Sequence, residues 1–248
     1  WKRLGLSVDW RQTYQTIDDH CRRIAQLSFC DLFERGHVYI SEAPTMWDVD
    51  FHCAIAQAET EDRHTSGAFH DIRFGVEGSG QSFVISTTRP ELLAACVGVT
   101  AHPGDERYAD LVGMEVELPL TGRTIPIIAD DYVDPEFGSG CVKITPAHDF
   151  NDFELGKRHN LEEINIFDES GIVNENGGPY QGQERYEARA NVVADLENLG
   201  QLEKIDNYEN AVGECYRCKT VIEPYLSLQW YVKVGPLAEE TIKAVQNG

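Results

Sequence analysis

Between Phe69 and Thr145, short stretches of alternating apolar and polar residues follow one another with glycine- and proline-bearing turns between them. A chain satisfies that pattern as a many-stranded sheet. Ile72, Phe74 and Val76 alternate with polar neighbours, and Gly78-Ser79-Gly80 marks a hairpin before the run Ser82 to Ser86. Further short strands are expected at Met114 to Pro119 and at Thr124 to Ile128. A Gly-Ser-Gly turn within Phe137 to Thr145 leads into another. Pro103 to Leu111 reads as a short helix closed by Gly113. Many short strands with few short helices fit a closed or nearly closed barrel better than a regular βαβ array. The expected class is α+β: a strand-rich mixed barrel with flanking helices, a small ribbon-like subdomain and terminal helices.

Outside that region the period changes. Ile17 to Gly36 places Ile24, Leu27, Leu32 and Phe33 at helical spacing among charged residues, and Arg185 to Leu199, ended by Gly200, reads as a second helix. Val38 to Glu61 reads as short strands and loops. Cys215-Tyr216-Arg217-Cys218 forms a hairpin-like loop before Val221 to Val234, and Pro236 to Gly248 reads as the beginning of a last helix. With no initiating methionine and a helix that starts near the end, the chain is expected to be a piece of something longer. The expected division is residues 1–62, 63–208 and 209–248, the outer two each supplying half of the ribbon.

Composition narrows the function. Lys and Arg number 21 against 42 Asp and Glu, a formal charge of −21. That argues against gripping long stretches of phosphate backbone, which needs a positive field to displace condensed counterions. No apolar run approaches the ~20 residues of a membrane span. The seven cysteines are odd in number and mostly isolated, which suits a reducing compartment; a cytoplasmic protein is expected.

The densest chemistry lies in Cys141-Val142-Lys143-Ile144-Thr145-Pro146-Ala147-His148-Asp149-Phe150-Asn151-Asp152-Phe153, a strand passing through a Thr-Pro turn into a helix that opens with two carboxylates. Alternation puts Lys143 and Thr145 on one strand face, and Asp149 and Asp152 share a face of the first helical turn, where the peptide dipoles favour negative charge. Capping accounts for part of this: Asp149 is a good N-cap, and Asp152 holds the capping-box position. Capping leaves the nearby lysine and histidine unexplained, and such a cluster can hold an ammonium, a hydroxyl and a water. Reading His148, Asp149 and Asp152 as ligands of a hydrolytic metal leaves the set short of a fourth ligand. Thr87-Thr88-Arg89-Pro90-Glu91 sets hydroxyls and a guanidinium at a strand end, or is a surface turn. Cys215 and Cys218 make half of a zinc ribbon whose partner pair is absent. The upstream thiol in a plausible position is Cys53, beside His52 and after Asp48 and Asp50. The alternative is a ribbon shaped by packing of Trp47, Tyr225 and Trp230.

Taken together, Ser86 to Glu91, Ala101 to Tyr108, Ile127 to Asp130 and Phe137 to Asp149 resemble, in order and spacing, the editing insertion of the class I valyl-tRNA synthetase family. The flanks Leu4 to Trp10, Val221 to Pro224 and Gln229-Trp230 look like the catalytic core on either side, so the resemblance covers the whole chain. It implies residues 63–208 as the editing domain and hydrolysis of threonine wrongly esterified to tRNA(Val). Lys143 is the position where the isoleucine and leucine enzymes differ. The resemblance assigns Asp152 to the substrate ammonium. Lys143 and Asp149, supported by Thr145, read the threonine hydroxyl. Thr87 and Arg89 contact the ester end or terminal ribose, Phe137 stacks on or walls in the adenosine, and Thr88 and His148 are further substrate-binding positions. The partners it implies are the 3′ CCA end of tRNA(Val) and the remaining domains of the parent. Neither ATP-activation signature is present, so no cofactor is expected in this piece, with ATP and Mg belonging to the full-length parent. Two departures stand out: Leu92 occupies a position that is often threonine, and the first C-x-x-C of zinc-bearing relatives aligns with Asp48 and Phe51. An isoleucyl editing domain acting on valyl-tRNA(Ile), and a non-catalytic binding module, remain as alternatives.

Overall fold

The alternation of the central region is realised in a single mixed sheet in the computed structural model, which describes residues 1–248. In chain order the elements are α1 (Asp19–Glu34), β1 (Val38–Asp48), β2 (Cys53–Ala54), β3 (Thr60–Val76), β4 (Ser82–Thr87), β5 (Gly98–Ala101), β6 (Glu115–Leu118), β7 (Arg123–Ala129), β8 (Cys141–Ile144), α2 (Phe150–His159), α3 (Arg185–Asn198), β9 (Leu202–Cys215), β10 (Glu223–Val232) and α4 (Val234–Asn247). They divide into two units, Ala43–Ser227 and Trp1–Glu42 with Leu228–Gly248. Strands β3 and β9 run unbroken through residues 62–63 and 208–209.

In the larger unit the seven-stranded sheet has the order β4-β3-β6-β7-β5-β8, with β9 also paired to β3. Only β5 and β7 run parallel. The sheet curls until its edges meet through side chains: Ser86 N–H donates to Ser139 Oγ at 3.4 Å, and Cys141 Sγ donates to the Val84 carbonyl at 3.4 Å. With no ladder there, the result is a half-barrel rather than a closed barrel. The second half of β3 follows the expected alternation, with Ile72, Phe74 and Val76 buried against Ile85, Val99, Val116 and Ile127. Each such side chain contributes about 1.5–3 kcal/mol by leaving water.

The first half of β3 departs from expectation. Thr60 to Ile72 pairs antiparallel with β9 from Cys215 back to Leu202, forming a long two-stranded ribbon whose outer residues are largely exposed. Its polar sequence gives no apolar alternation ahead of Phe69, because the inner face of the ribbon is only half-buried. The expected helix at Pro103 to Leu111 is also absent. In its place are successive turns, Asp105 N–H to His102, Tyr108 N–H to Asp105 and Leu111 N–H to Tyr108. The Asp105 carboxylate takes the Arg107 N–H and guanidinium, offering the backbone a local alternative to helix. In the smaller unit Phe29 and Phe33 of α1 set their rings 5.1 and 6.2 Å from Trp230, and Tyr39 stacks on Tyr231. No helix is long and apolar enough to cross a membrane.

Candidate functional site

Two glycines shape the β8–α2 corner. Gly140, at φ +77°, turns the chain into β8 where a Cβ would sit 2.8 Å from the Pro135 carbonyl. Gly156 lets α2 lie against the Thr-Pro turn, since a Cβ there would approach Pro146 Cγ to 2.9 Å. Asp149 caps α2, its Oδ1 accepting the N–H groups of Asn151 (2.8 Å) and Asp152 (3.1 Å). Asp152 does not close a capping box. Its Oδ2 instead accepts the Thr145 N–H at 2.8 Å and the Thr145 hydroxyl at 3.1 Å, tying the helix back to the end of β8. At the other end of α2, Arg158 and His159 both reach the buried carboxylate of Asp130.

All nine residues singled out in the sequence line one cavity of about 340 Å³: Lys143, Asp149, Asp152, Thr87, Thr88, Arg89, Phe137, Thr145 and His148. They do not play equal parts. Lys143 is 8% exposed yet makes no hydrogen bond or ion pair with the protein, so a cation lies on the cavity wall uncommitted. Asp149 Oδ2 and Asp152 Oδ1 likewise have no partner in the chain, while the other oxygen of each holds the fold. Burial first, and then the charge of Asp149, push the Asp152 carboxyl up to about 6 against the attraction of Lys143.

The remaining candidates are more engaged. His148 is 2% exposed and accepts the Ile166 N–H on Nε2 at 3.0 Å, which puts its proton on Nδ1. Burial, with Arg89 and Lys143 nearby, holds it well below the usual histidine range and therefore neutral. Thr87 Oγ1 accepts the Arg89 N–H at 3.1 Å. The Arg89 guanidinium donates to Glu91 at 3.0 Å and to Glu223 at 2.6 Å, an ionic network that sequence spacing did not reveal for Glu223. Cys141 is buried and its thiol is raised by burial, so it is no nucleophile. Tyr132 and Phe69 also line the cavity, Phe69 meeting Phe137 edge-on at 5.9 Å. Neither carried a sequence signal, because both reach the pocket from loops or strands elsewhere in the chain.

The cysteine loop gathers a different set. Ligand atoms of Asp48, Cys215 and Cys218 lie within 4.8 Å of one another. Asp48 Oδ1 accepts the N–H groups of Asp50 and Phe51, both at 3.0 Å, and Oδ2 accepts the Cys218 thiol at 3.0 Å. The Cys215 thiol is raised chiefly by its hydrogen bond to Asp48. A closed tetrahedral zinc site takes four ligands. Here Phe51 offers none, Cys53 is exposed, and His52 Nε2 lies 3.1 Å from Ser170 Oγ. The donor set therefore does not fit a closed structural zinc. Trp47 packs on Tyr225 at 5.1 Å as expected for the ribbon, whereas Trp230 packs on α1 instead.

The sequence that folds into this curled mixed sheet is matched by a family model over its whole length. The profile of tRNA synthetases class I (I, L, M and V) covers residues 1–248, and the chain belongs to that family. Within it, similar curated relatives include valine–tRNA ligases. That of Syntrophotalea carbinolica is 56% identical over 247 residues, that of Geobacter sulfurreducens 54% over 248, and that of Thermotoga maritima 45% over 247. Each alignment takes in 100% of this chain but only 28%, 28% and 29% of the relative, so the chain spans little more than a quarter of their length. A solved structure titled as the ternary complex of Agrobacterium radiobacter K84 agnB2 LeuRS-tRNA-LeuAMS aligns with 84% of this chain and 36% of its own, at 17% identity and a TM-score of 0.44. That likeness is too low to bear on the fold, which the strand order defines.

Proposed function

We propose that this chain is the part of a valyl-tRNA synthetase that hydrolyses the ester of threonyl-tRNA(Val), with the pocket at the β8–α2 corner as its hydrolytic site. The observation that carries the reading is Lys143: a lysine 8% exposed, without a partner, on a cavity wall shared with two carboxylates that each keep one oxygen free. An unpaired buried cation costs stability, and retaining it suits a ligand that supplies the missing partner.

The chemistry follows from what must be distinguished. Threonine and valine are nearly isosteric, and the valine enzyme is itself the known case in which an apolar pocket rejects threonine by only about a hundredfold. A polar site reverses the preference. Lys143 donates to the threonine hydroxyl and Asp149 Oδ2 accepts from it, with Thr145 holding Asp152 in register. A valyl group in the same place leaves those groups buried and unpaired, at about 1–3 kcal/mol each. Asp152 Oδ1 takes the α-ammonium in a charge-assisted bond. Phe137, 55% exposed at the cavity, walls in the terminal adenosine. With Cys141 excluded as nucleophile, a bound water attacks the ester carbonyl, placed by the substrate's own ribose hydroxyl and the polar wall.

The test uses the intact ligase that contains this chain. It should release threonine from threonyl-tRNA(Val), spare valyl-tRNA(Val), and lose the first activity on Asp152→Ala while still activating valine with ATP. Equal release of both amino acids, threonine release that survives Asp152→Ala, or preference for valyl-tRNA(Ile) would overturn the reading.

A further inference from the structure

Tyr132 stands in the hydrolytic cavity with no part in the chemistry described so far. It enters the wall from the loop between β7 and β8, and its side chain remains half in water beside a lysine and two carboxylates. A ring that is 47% exposed adds little to the core, so burial does not account for its place.

The loop that carries it is fixed from several sides. Asp130, 8% exposed, accepts the Tyr132 N–H on Oδ1 at 2.9 Å, and its own N–H donates to the Ala101 carbonyl at the end of β5 at 3.1 Å. The same carboxylate holds the C-terminal end of α2, with Arg158 Nη1 3.2 Å from Oδ1 and His159 Nε2 2.8 Å from Oδ2. Further along the loop, Arg107 donates to the Pro135 carbonyl at 2.7 Å. The backbone of Tyr132 is thus tied to the helix whose first turn supplies Asp149 and Asp152.

The phenol faces that first turn, against Asn151 and the two carboxylates. Burial first, and then the charges of Asp149 and Asp152, push it above the usual tyrosine range against a hydrogen bond from the Asn151 side chain. It therefore keeps its proton, and its O–H is a donor. Asp149 Oδ1 is taken by the N–H groups of Asn151 and Asp152, whereas Oδ2 has no partner in the chain. One carboxylate oxygen has room for two hydrogen bonds.

We infer that Tyr132 is a positioning residue for selectivity: its O–H donates to Asp149 Oδ2 in the substrate complex and aims that oxygen at the threonine hydroxyl. The inference rests on the editing function proposed above and deepens it, because Tyr132 acts through Asp149 rather than on the ester. A fixed acceptor favours only a substrate that carries a hydroxyl to meet it. The tether through Asp130 is what keeps the phenol in place as the cavity fills.

The experiment uses the intact ligase that contains this chain, with Tyr132→Phe, which keeps the ring and removes the donor. Rates are measured on threonyl-tRNA(Val) and, at high enzyme concentration, on the slowly cleaved valyl-tRNA(Val), nearly isosteric but without the hydroxyl. The threonyl rate should fall about tenfold, as for loss of one hydrogen bond to a charged acceptor, and the ratio of threonyl to valyl rates should fall with it. A second arm places Tyr132→Phe on Asp149→Asn. There the residual threonyl rate should change by less than about twofold, since the group through which the phenol acts is already altered. An unchanged threonyl rate, an equal fall for both substrates, or a further tenfold loss on Asp149→Asn overturns the inference while the Lys143 pocket stands. Failure of the parent ligase to release threonine at all removes the proposed function, and this inference with it.

Discussion

One oxygen of Asp152 accepts both the amide and the hydroxyl of Thr145, at 2.8 and 3.1 Å, and so fixes the carboxylate while leaving its second oxygen free. Because burial and then Asp149 raise this carboxyl from 3.8 to about 6, its charge is lost as pH falls through about 6. An ammonium anchor must be charged. Threonyl-tRNA(Val) hydrolysis should therefore fall with a single-proton profile as pH drops through about 6, and a rate flat down to pH 5 would separate Asp152 from the reaction.

The same shift has a stability sign. The folded-state carboxyl lies above its unfolded value, so the native state favours the protonated form. Its contribution is fully present below about 3.8 and is lost as pH rises through about 6. Ionised Asp152 thus costs about 3 kcal/mol at neutral pH, the equivalent of about two pKa units. Asp152→Asn keeps an oxygen for Thr145 and removes the charge. Thermal unfolding at pH 7.5 should show Tm raised by several degrees while deacylation falls at least tenfold; a lowered Tm would contradict this account.

Lys143→Met should also lower deacylation at least tenfold; it breaks no hydrogen bond, but it removes the positive charge that opposes the upward shift of Asp152, so the acid limb of the remaining rate should move above pH 6. Asp149 is the contrasting case because its two oxygens do different work. Asp149→Asn retains the cap oxygen and should keep the fold but lose hydrolysis, whereas Asp149→Ala should in addition cost about 0.5–2 kcal/mol from the lost helix cap. Denaturant midpoints and deacylation rates measured on the same samples separate the two effects.

The pocket was legible where its residues are contiguous. Thr87 to Arg89 and Lys143 to Asp152 each occupy one strand end and its turn, so a short run of sequence carried both chemistry and geometry. Glu223, Arg185 and Arg189 reach Arg89 and Glu91 only through tertiary packing across about a hundred residues, and no local pattern announces such an ionic network. The β3–β9 ribbon escaped for a different reason: the side of the ribbon that turns inward is only half-buried and carries polar residues such as Asp206 and Asn210, so its alternation is not one of apolar against polar. The Pro103 to Leu111 turns show side-chain capture by Asp105 overriding a helical spacing.

Glu91 offers a prediction of opposite sign to Asp152. Burial pushes its carboxyl up, but the guanidinium of Arg89 and then that of Arg189 outweigh burial and hold it at about 2. A depressed carboxyl contributes stability above its unfolded value of 4.5, and that contribution is lost as pH falls from there through about 2. Glu91→Gln should leave two buried guanidiniums undercompensated and cost about 3–5 kcal/mol at pH 7, with the penalty shrinking in acid. A variant as stable as the parent at pH 7 would show the network to be neutral.

The cysteine loop gives the last prediction. Asp48 joins the two halves of the ribbon through three hydrogen bonds, the N–H groups of Asp50 and Phe51 on one oxygen and the Cys218 thiol on the other, with the Cys215 thiol within 4.8 Å. A carboxylate in this position does by hydrogen bonding what a tetrahedral metal does by coordination, and it needs no fourth ligand where Phe51 stands. On this account chelator leaves Tm unchanged and elemental analysis finds less than one zinc per ten chains. Asp48→Ala then destabilises by about 2–4 kcal/mol, because two loop N–H groups and the Cys218 thiol lose their acceptor together. Cys218→Ser, which keeps a hydroxyl donor for Asp48, costs no more than about 1 kcal/mol. Stoichiometric zinc, or Cys218→Ser as damaging as Asp48→Ala, would instead make the cluster a metal site with one position open.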